Sequence, residues 1–175
     1  MSMTQQHTIF ISHSSKDEPI VTPFIDKILN VGLEISRDKI FYTSAKDTGI
    51  TSGDDFKKTI KNKILNATAV IQIITKNYKE SEVCLNEMGA AWVLSDNVIP
   101  FILEPVNFNS VGFIHNTTQL LKLNNESDLF QFHDDHPELY DNRRIKTSNY
   151  HKQVKDYLEL ISNGRFRFGN GYNYY

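Results

Sequence analysis

One carboxylate stands in an unusual setting for an acid. Glu87 lies inside residues 81–92, SEVCLNEMGAAW, which are mostly small or apolar, and it follows Ser81 and Cys84, the single cysteine of the chain. A helical glutamate commonly faces solvent or complements the dipole of its own helix. At the edge of a binding cleft, a glutamate can instead stabilise positive charge that develops on a ligand. Which of these two roles Glu87 has depends on where the strands and helices around it place its side chain.

A second group of polar residues, SHSSKD at 12–17, follows a short apolar run. Backbone amides and hydroxyls at a helix amino terminus bind phosphate, because partial positive charge gathers there. The candidates are Ser12, His13, Ser14 and Ser15, with Lys16 as a point charge. Plain helix capping is the alternative for such a cluster.

Composition limits the partners. The chain has 175 residues, 19 Lys and Arg against 21 Asp and Glu, and a formal charge of -2. This balance predicts one compact domain and argues against a general nucleic-acid or membrane-surface binder. One cysteine cannot form an internal disulfide, the start MSMTQQHTIF lacks the order of a signal peptide, and no apolar run approaches the ~20 residues that span a bilayer. We therefore expect a cytoplasmic protein.

Five short strands alternate with helices in the predicted order of elements. The strand segments are residues 8–12 (TIFIS), 39–43 (KIFYT), 68–74 (TAVIQII), 97–103 (NVIPFIL) and 119–123 (QLLKL). The third is apolar almost throughout, which favours a strand buried on both faces of a parallel sheet. Pro100 cannot donate a ladder hydrogen bond and favours an edge or a bulge for the fourth.

Helical spacing fills the intervals between these strands. The first helix joins Ile20, Phe24, Ile28 and Leu29 and ends near Gly32, which can take a left-handed cap. Further helices are predicted at residues 54–67, 81–92, 126–140 and 149–162. This alternation predicts an α/β fold, with an open and mostly parallel sheet covered by helices on both faces. Ligands of such folds bind beyond the carboxyl ends of the strands, so the rim where Glu87 lies is the expected site.

Three pieces of the sequence together resemble one family. FISHSSKD follows the opening strand, ITSGDDF precedes the second helix, and NYKESEVCLNEMGAAW follows the third strand. In this order and spacing, residues 8–162 are similar to the Toll/interleukin receptor (TIR) domain in its standalone bacterial form. The resemblance implies a flavodoxin-like fold, a single domain over residues 1–164 and a tail at 165–175, whose Gly, Asn and aromatic residues predict weak order.

The resemblance also implies an activity. In enzymatic TIR domains, the glutamate of a Ser-x-Trp-Cys-x-x-Glu pattern catalyses NAD cleavage, and this pattern falls on Ser81, Val83, Cys84 and Glu87, with Val83 where the family usually has Trp. Loss of that aromatic ring would weaken stacking on a base of the substrate. The substrate-binding residues that the resemblance implies are Phe10, Ser12, His13, Ser14, Tyr42, Ser44, Ser81, Val83 and Cys84.

The loop at residues 44–54 resembles the BB loop of the family, through which TIR domains associate and in some cases complete the site. Its residues implied in assembly are Asp47, Gly49, Ile50 and Gly53. The alternative is that this loop is only a flexible surface connection.

The chemistry of NAD explains why a lone acid would be enough. Its nicotinamide is a cationic pyridinium, so it leaves as a neutral group and needs no protonation. Glycosidases need two carboxylates, whereas this bond needs help mainly with an oxocarbenium-like ribose. One carboxylate can bind the ribose hydroxyls and stabilise that charge. Attack by water gives ADP-ribose, and attack by a group of the same molecule gives a cyclic isomer; the sequence does not choose between them.

Other constellations are weaker. His133 and His136 in HDDH have no evident third metal ligand, so we expect no metal. A Walker or Rossmann glycine loop is missing, SHSS lacks the glycines of a nucleophile elbow, and a phosphoacceptor domain would need an Asp where Thr75 stands. Cys84 fits a buried apolar side chain better than a nucleophile. The tail's Arg and Phe residues are too few to indicate nucleic-acid binding.

Three functions stay open. The first is an NAD+ glycohydrolase or cyclase with NAD+ as substrate rather than cofactor, activated by self-association and signalling in antiphage defence to a separate effector protein. The second is a non-catalytic module that recruits other TIR domains. The third is a nucleoside deoxyribosyltransferase-like enzyme, which has related chemistry but lacks the SHSS-type start.

Overall fold

A computed structural model describes residues 8–42, 56–115, 119–140 and 146–163 of the chain. Its centre is a parallel sheet of five strands in the order β2-β1-β3-β4-β5. The strands are β1 (Ile9–Ser12), β2 (Ile40–Tyr42), β3 (Ala69–Ile74), β4 (Val98–Ile102) and β5 (Leu121–Lys122). The predicted α/β class with a central five-stranded sheet is confirmed, and each predicted strand overlaps an observed one.

Helices cover both faces of this sheet. They are α1 (Glu18–Pro23), continued by a π-helical segment (Phe24–Gly32), then α2 (Phe56–Asn66), α3 (Lys76–Lys79), α4 (Glu82–Leu94), α5 (Glu126–Asp135) and α6 (Thr147–Ser162), with short 3-10 turns at Ser15–Asp17, Arg37–Lys39, Phe113–His115 and Pro137–Leu139. None of the helices within these described residues is long and apolar enough to cross a bilayer.

Strand β3 is buried along its whole length, as its apolar sequence predicts. Ile71 and Ile73 enter the larger core cluster, which α1, the π-helical segment, α5 and α6 cover. Val70 and Ile74 face the opposite side and belong to two separate smaller clusters under α2 and α4. Gln72 lies between Val70 and Ile74 on that side, so a polar position interrupts the apolar core there.

Pro100 lies in a strand with neighbours on both sides, and the pairing pattern explains how the sheet accepts it. β5 pairs with β4 only at Phe101 and Ile102. The carbonyl of Ile102 accepts from the amide of Leu123 at 2.9 Å, so Pro100, two residues earlier, faces the same side. The nitrogen of Pro100, which has no N–H to donate, therefore faces the β5 side of β4. Pairing with β5 begins only at Phe101, so the sheet loses no hydrogen bond there.

The expectation of a left-handed Gly32 is wrong. Glu34 has the positive φ of 53°, two residues beyond the helix, and Gly32 does not. Glycine is needed at position 32 because neighbouring atoms come too close to leave room for a side chain. A Cβ at position 32 would lie 2.8 Å from the Lys27 carbonyl oxygen and 3.1 Å from Cδ2 of Tyr150.

These contacts predict opposite effects of alanine at two helical glycines. Gly32→Ala should lower the free energy of unfolding by about 1–3 kcal/mol, because backbone must move to admit the methyl group. Gly89→Ala is the matched control, since a Cβ at Gly89 in α4 would have nothing within 4 Å. That substitution should stabilise by about 0.5–1 kcal/mol. Urea denaturation followed by circular dichroism measures both, and stabilisation by Gly32→Ala would contradict the crowding.

Candidate functional site

Two local capping interactions begin the helix that carries Glu87. Thr75 directly follows β3 and caps the short helix α3, its hydroxyl accepting from the amide of Tyr78 at 3.0 Å. Ser81 then caps α4, its hydroxyl accepting from the amide of Cys84 at 3.3 Å. Glu87 follows this cap by six residues, and its side chain is turned towards the sheet, with 4% of its surface exposed.

Glu87 is hydrogen-bonded to the central sheet. The Ser12 hydroxyl, at the carboxyl end of β1, donates to Oε2 of Glu87 at 2.6 Å. Oγ of Ser12 also lies 3.0 Å from the Tyr78 hydroxyl. Because the single Ser12 proton goes to the carboxyl oxygen, Tyr78 is the donor in that second bond. Burial raises the pKa of Tyr78, so its hydroxyl keeps its proton. The result is a chain from Tyr78 through Ser12 to Glu87.

This chain continues a row of polar side chains across the sheet. Ser12 pairs in register with Gln72 on β3, and both are fully buried. Oε1 of Gln72 lies 2.7 Å from Nε2 of His115, from the segment between β4 and β5. Burial lowers the pKa of His115, which favours the neutral ring. A polar layer thus separates the two apolar clusters under α2 and α4.

A second buried carboxylate joins the loops that follow β1 and β3. Asp17, 2% exposed, accepts from the Thr75 hydroxyl at 2.5 Å and from the Asn77 amide at 2.6 Å. The loop that carries Ser12 and His13 is therefore tied to the turn that starts the helix of Glu87. Charge-assisted bonds of this kind are among the stronger ones in proteins, which fixes the relative position of the two loops.

The cleft beside Glu87 runs between α2 and α4 and has a volume of about 490 Å³. That size is within the roughly 300–1,000 Å³ of typical ligand pockets. Its walls are Ile60, Lys61, Val83, Asn86, Glu87, Ala90 and Leu94. The α4 residues recur at helical spacing, so one face of that helix forms a wall. The buried glutamate therefore reaches a space large enough for part of a small molecule.

Three of the five predicted phosphate residues lie beneath the surface rather than on it. Ser12, His13 and Ser14 are 0%, 2% and 5% exposed, whereas Ser15 and Lys16 are exposed. Ser14 caps the 3-10 turn that follows, accepting from the Lys16 amide at 3.4 Å. The capping alternative thus describes what Ser14 does in the structure.

His13 is buried without a hydrogen-bond partner for either ring nitrogen among the described residues. Its ring centre lies 6.1 Å from that of Tyr42, which is half-buried. Burial lowers the pKa of His13, and the backbone at Ile11 together with the nearby Asp17 and Glu18 opposes this shift only in part. The folded protein therefore favours a neutral His13.

The other predicted substrate residues have different surroundings. Phe10 is buried and stacks on Phe41 with ring centres 5.6 Å apart. Val83, 53% exposed, lines the cleft. Cys84 is buried against the sheet, and burial together with nearby Glu87 and Asp17 raises the pKa of its thiol to about 11. Several predicted residues lie outside the described part of the chain: Ser44, Asp47, Gly49, Ile50 and Gly53, as does the tail at 165–175.

Sequence reasoning missed Tyr78, Asn77 and Lys61, and it treated Asp17 only as a cap. Asp17, Asn77 and Tyr78 share one sequence signal, which is that each follows the end of a strand.

No three His, Cys, Asp or Glu side chains come together as a metal site within residues 8–42, 56–115, 119–140 and 146–163. His133 and His136 lie near the end of α5, beside Asp134 and Glu138 respectively.

Comparison with known proteins identifies the class. The family model described as TIR domain matches residues 9–136, most of the chain, and the protein therefore belongs to the TIR domain family. An uncharacterized protein of Bacillus subtilis (strain 168), YddK, is 35% identical over 133 residues, which are 76% of this chain and 49% of YddK. The chain thus spans about half the length of that relative.

A solved structure with similarity to this chain is that of the TIR domains in the activated Roq1 resistosome directly recognizing the pathogen effector XopQ. The two share 15% sequence identity at a TM-score of 0.45, over 91% of this chain and 90% of the other.

The Tyr78–Ser12–Glu87 chain predicts unequal and coupled losses of stability. Ser12→Ala removes both bonds and should lower the free energy of unfolding by roughly 1–3 kcal/mol, whereas Tyr78→Phe, which spares the bond to Glu87, should cost about 1 kcal/mol. The double variant should be little worse than Ser12→Ala alone. Urea denaturation measures the free energy of unfolding of all three variants. Strictly additive losses would contradict the linked hydrogen bonds from Tyr78 through Ser12 to Glu87.

The two buried histidines predict that acid destabilises the fold. Their pKa values are lowered from 6.5 in the folded protein, so below that pH the unfolded chain takes up protons that the folded protein does not. The free energy of unfolding should therefore decrease as the pH is lowered, by up to about 1.4 kcal/mol per pH unit for each histidine. Urea midpoints from about pH 8 to about pH 5 test this. His13→Asn should reduce the slope by one proton, and an unchanged slope would contradict the assignment.

Proposed function

We propose that this TIR domain is an NAD+ glycohydrolase or ADP-ribosyl cyclase that cleaves the bond between nicotinamide and ribose, with Glu87 as the catalytic residue. The supporting observation is that Glu87, buried in α4 and bonded to Ser12, lines a cleft of about 490 Å³. A solvent-facing glutamate on the same helix would not support this proposal. The TIR family includes both NAD-cleaving enzymes and non-catalytic modules, so membership alone leaves the choice open.

The proposed step places the developing cation of the ribose beside Glu87. The bond between C1′ and the pyridinium nitrogen breaks, its electron pair stays on nitrogen, and nicotinamide leaves as a neutral molecule. Positive charge then develops on C1′ and the ring oxygen of the ribose. A carboxylate held in position stabilises this charge without reorganisation during the reaction. Attack by water with loss of a proton gives ADP-ribose, and attack by a nucleophile of the same molecule gives a cyclic isomer.

Ser12 and Tyr78 are positioning residues in this scheme. Ser12 holds one carboxyl oxygen of Glu87, while burial keeps water away from it. Under this proposal the carboxyl group of Glu87 contacts the ribose hydroxyls. A catalytic group gains most when its orientation is fixed before the substrate arrives. Under this proposal the product, or the loss of NAD, acts as a signal in bacterial antiphage defence, after association of TIR domains and through a separate effector protein.

A second function, a non-catalytic module that binds other TIR domains, has one observation in its favour. Leu85, Trp92 and Val93 on the outer face of α4 are 45%, 58% and 72% exposed. Large apolar side chains grouped on one exposed helix face are typical of protein interaction surfaces. This surface is also compatible with an enzyme that associates, whereas a module without activity would not need Glu87 in a cleft.

Replacement of the carboxylate tests the proposal. Purified protein should release nicotinamide from NAD+, and Glu87→Gln should lower kcat by about a hundredfold or more, because the amide carries no charge to offset that of the ribose. Chromatography of the products measures nicotinamide, ADP-ribose and any cyclic isomer. Glu82→Gln on the exposed first turn of α4 is the matched control and should retain wild-type activity. Equal rates for Glu87→Gln and wild type would overturn the catalytic role.

A further inference from the structure

The cleft beside Glu87 has one acidic and one basic residue among those that line it, on opposite helices. Glu87 lies on α4 and Lys61 lies on α2. Most of the remaining wall is apolar, formed by Ile60, Val83, Ala90 and Leu94, with Asn86 as the other polar residue. From Val83 to Leu94 this wall is about 16 Å long, taking 1.5 Å for each helical residue.

Lys61 is available for a ligand. Its side chain is exposed, and the ammonium group forms no ion pair with Glu87 or with any other carboxylate of the described residues. The preceding Ile60 is 7% exposed and packs under α2 with Phe10 and Val70. That packing fixes α2 at the sheet and holds Lys61 at the mouth of the cleft.

The substrate of the proposed reaction has matching polarity. NAD+ has a cationic pyridinium ring at one end, an anionic pyrophosphate in the middle and flat rings that suit apolar walls. We propose that Lys61 binds the pyrophosphate group and thereby makes the cleft selective for phosphate-linked dinucleotides over the corresponding nucleosides. This inference rests on the proposed function, since it orients the same substrate with its ribose at Glu87.

Lys61 differs from the phosphate residues that the sequence suggested. Ser12, His13 and Ser14 are buried, and the Ser12 hydroxyl is already bonded to Glu87. A phosphate reaching Ser12 would have to displace that bond, and one reaching His13 would have to enter the interior, because the ring is 2% exposed. An exposed ammonium group at the mouth of a mostly apolar cleft needs no such rearrangement. Lysine is a point charge for phosphate, so the interaction should weaken as salt increases.

Kinetics with two substrates test the role of Lys61. Lys61→Gln should raise KM for NAD+ roughly tenfold with kcat nearly unchanged, since about 1.4 kcal/mol of binding free energy is lost with the charge. The rate with nicotinamide riboside, which has the same scissile bond and no phosphate, should stay as in wild type. Lys61→Arg should retain most of the affinity. Lys63→Gln is the matched control, because Lys63 lies over the Phe41 ring and outside the cleft walls.

The outcomes separate this inference from the proposed function. An unchanged KM for NAD+ in Lys61→Gln, or an equal loss with nicotinamide riboside, overturns the role of Lys61 and leaves the catalytic proposal standing. If wild type cleaves neither substrate, the catalytic proposal fails. Titration calorimetry of the full chain with inorganic pyrophosphate then tests phosphate binding by Lys61 independently of catalysis. Binding by wild type that weakens roughly tenfold in Lys61→Gln supports the subsite, and no binding or equal binding overturns it.

Discussion

The hydrogen bond between Ser12 and Glu87 joins the first strand to the helix that carries the candidate site. It lies in the interior, where an unpaired polar group would cost roughly 1–3 kcal/mol. The carboxyl group therefore constrains its neighbours as much as they constrain it. Tyr78 completes the chain from the turn before α4, and Asp17 holds that turn against the loop after β1. The rim of the sheet is thus set by polar contacts rather than by apolar packing.

The two faces of the sheet have different cores for this reason. One face is covered by a single large apolar cluster, in which Phe24 meets Phe101 edge-on with ring centres 5.3 Å apart. The other face has two smaller clusters separated by Ser12 and Gln72. A protein built only for stability would favour apolar side chains at those central positions, because buried polar groups gain little net free energy. Sites of function are where such local departures from good packing are expected.

The order of elements could be predicted from the sequence, since β-branched and apolar runs separated by turn residues define strands locally. The same reasoning placed Glu87 near the rim, because Ser81 marks the start of its helix. It could not find Lys61, since the cleft depends on how α2 and α4 pack together and not on either helix alone. Nor could it show why a glycine is needed at position 32, because part of the crowding there comes from Tyr150, on a helix more than a hundred positions away.

Cys84 provides a means to observe the motion of α4. It is the single cysteine of the sequence, it precedes Glu87 by one turn, and it is 3% exposed beneath that helix. Only the thiolate reacts readily with alkylating reagents, and a thiol with a pKa of about 11 has little thiolate near neutral pH. Alkylation in the folded protein therefore requires the helix to separate from the sheet. The rate of that one modification, followed by mass spectrometry, reports how often the helix detaches and whether a ligand in the neighbouring cleft holds it in place.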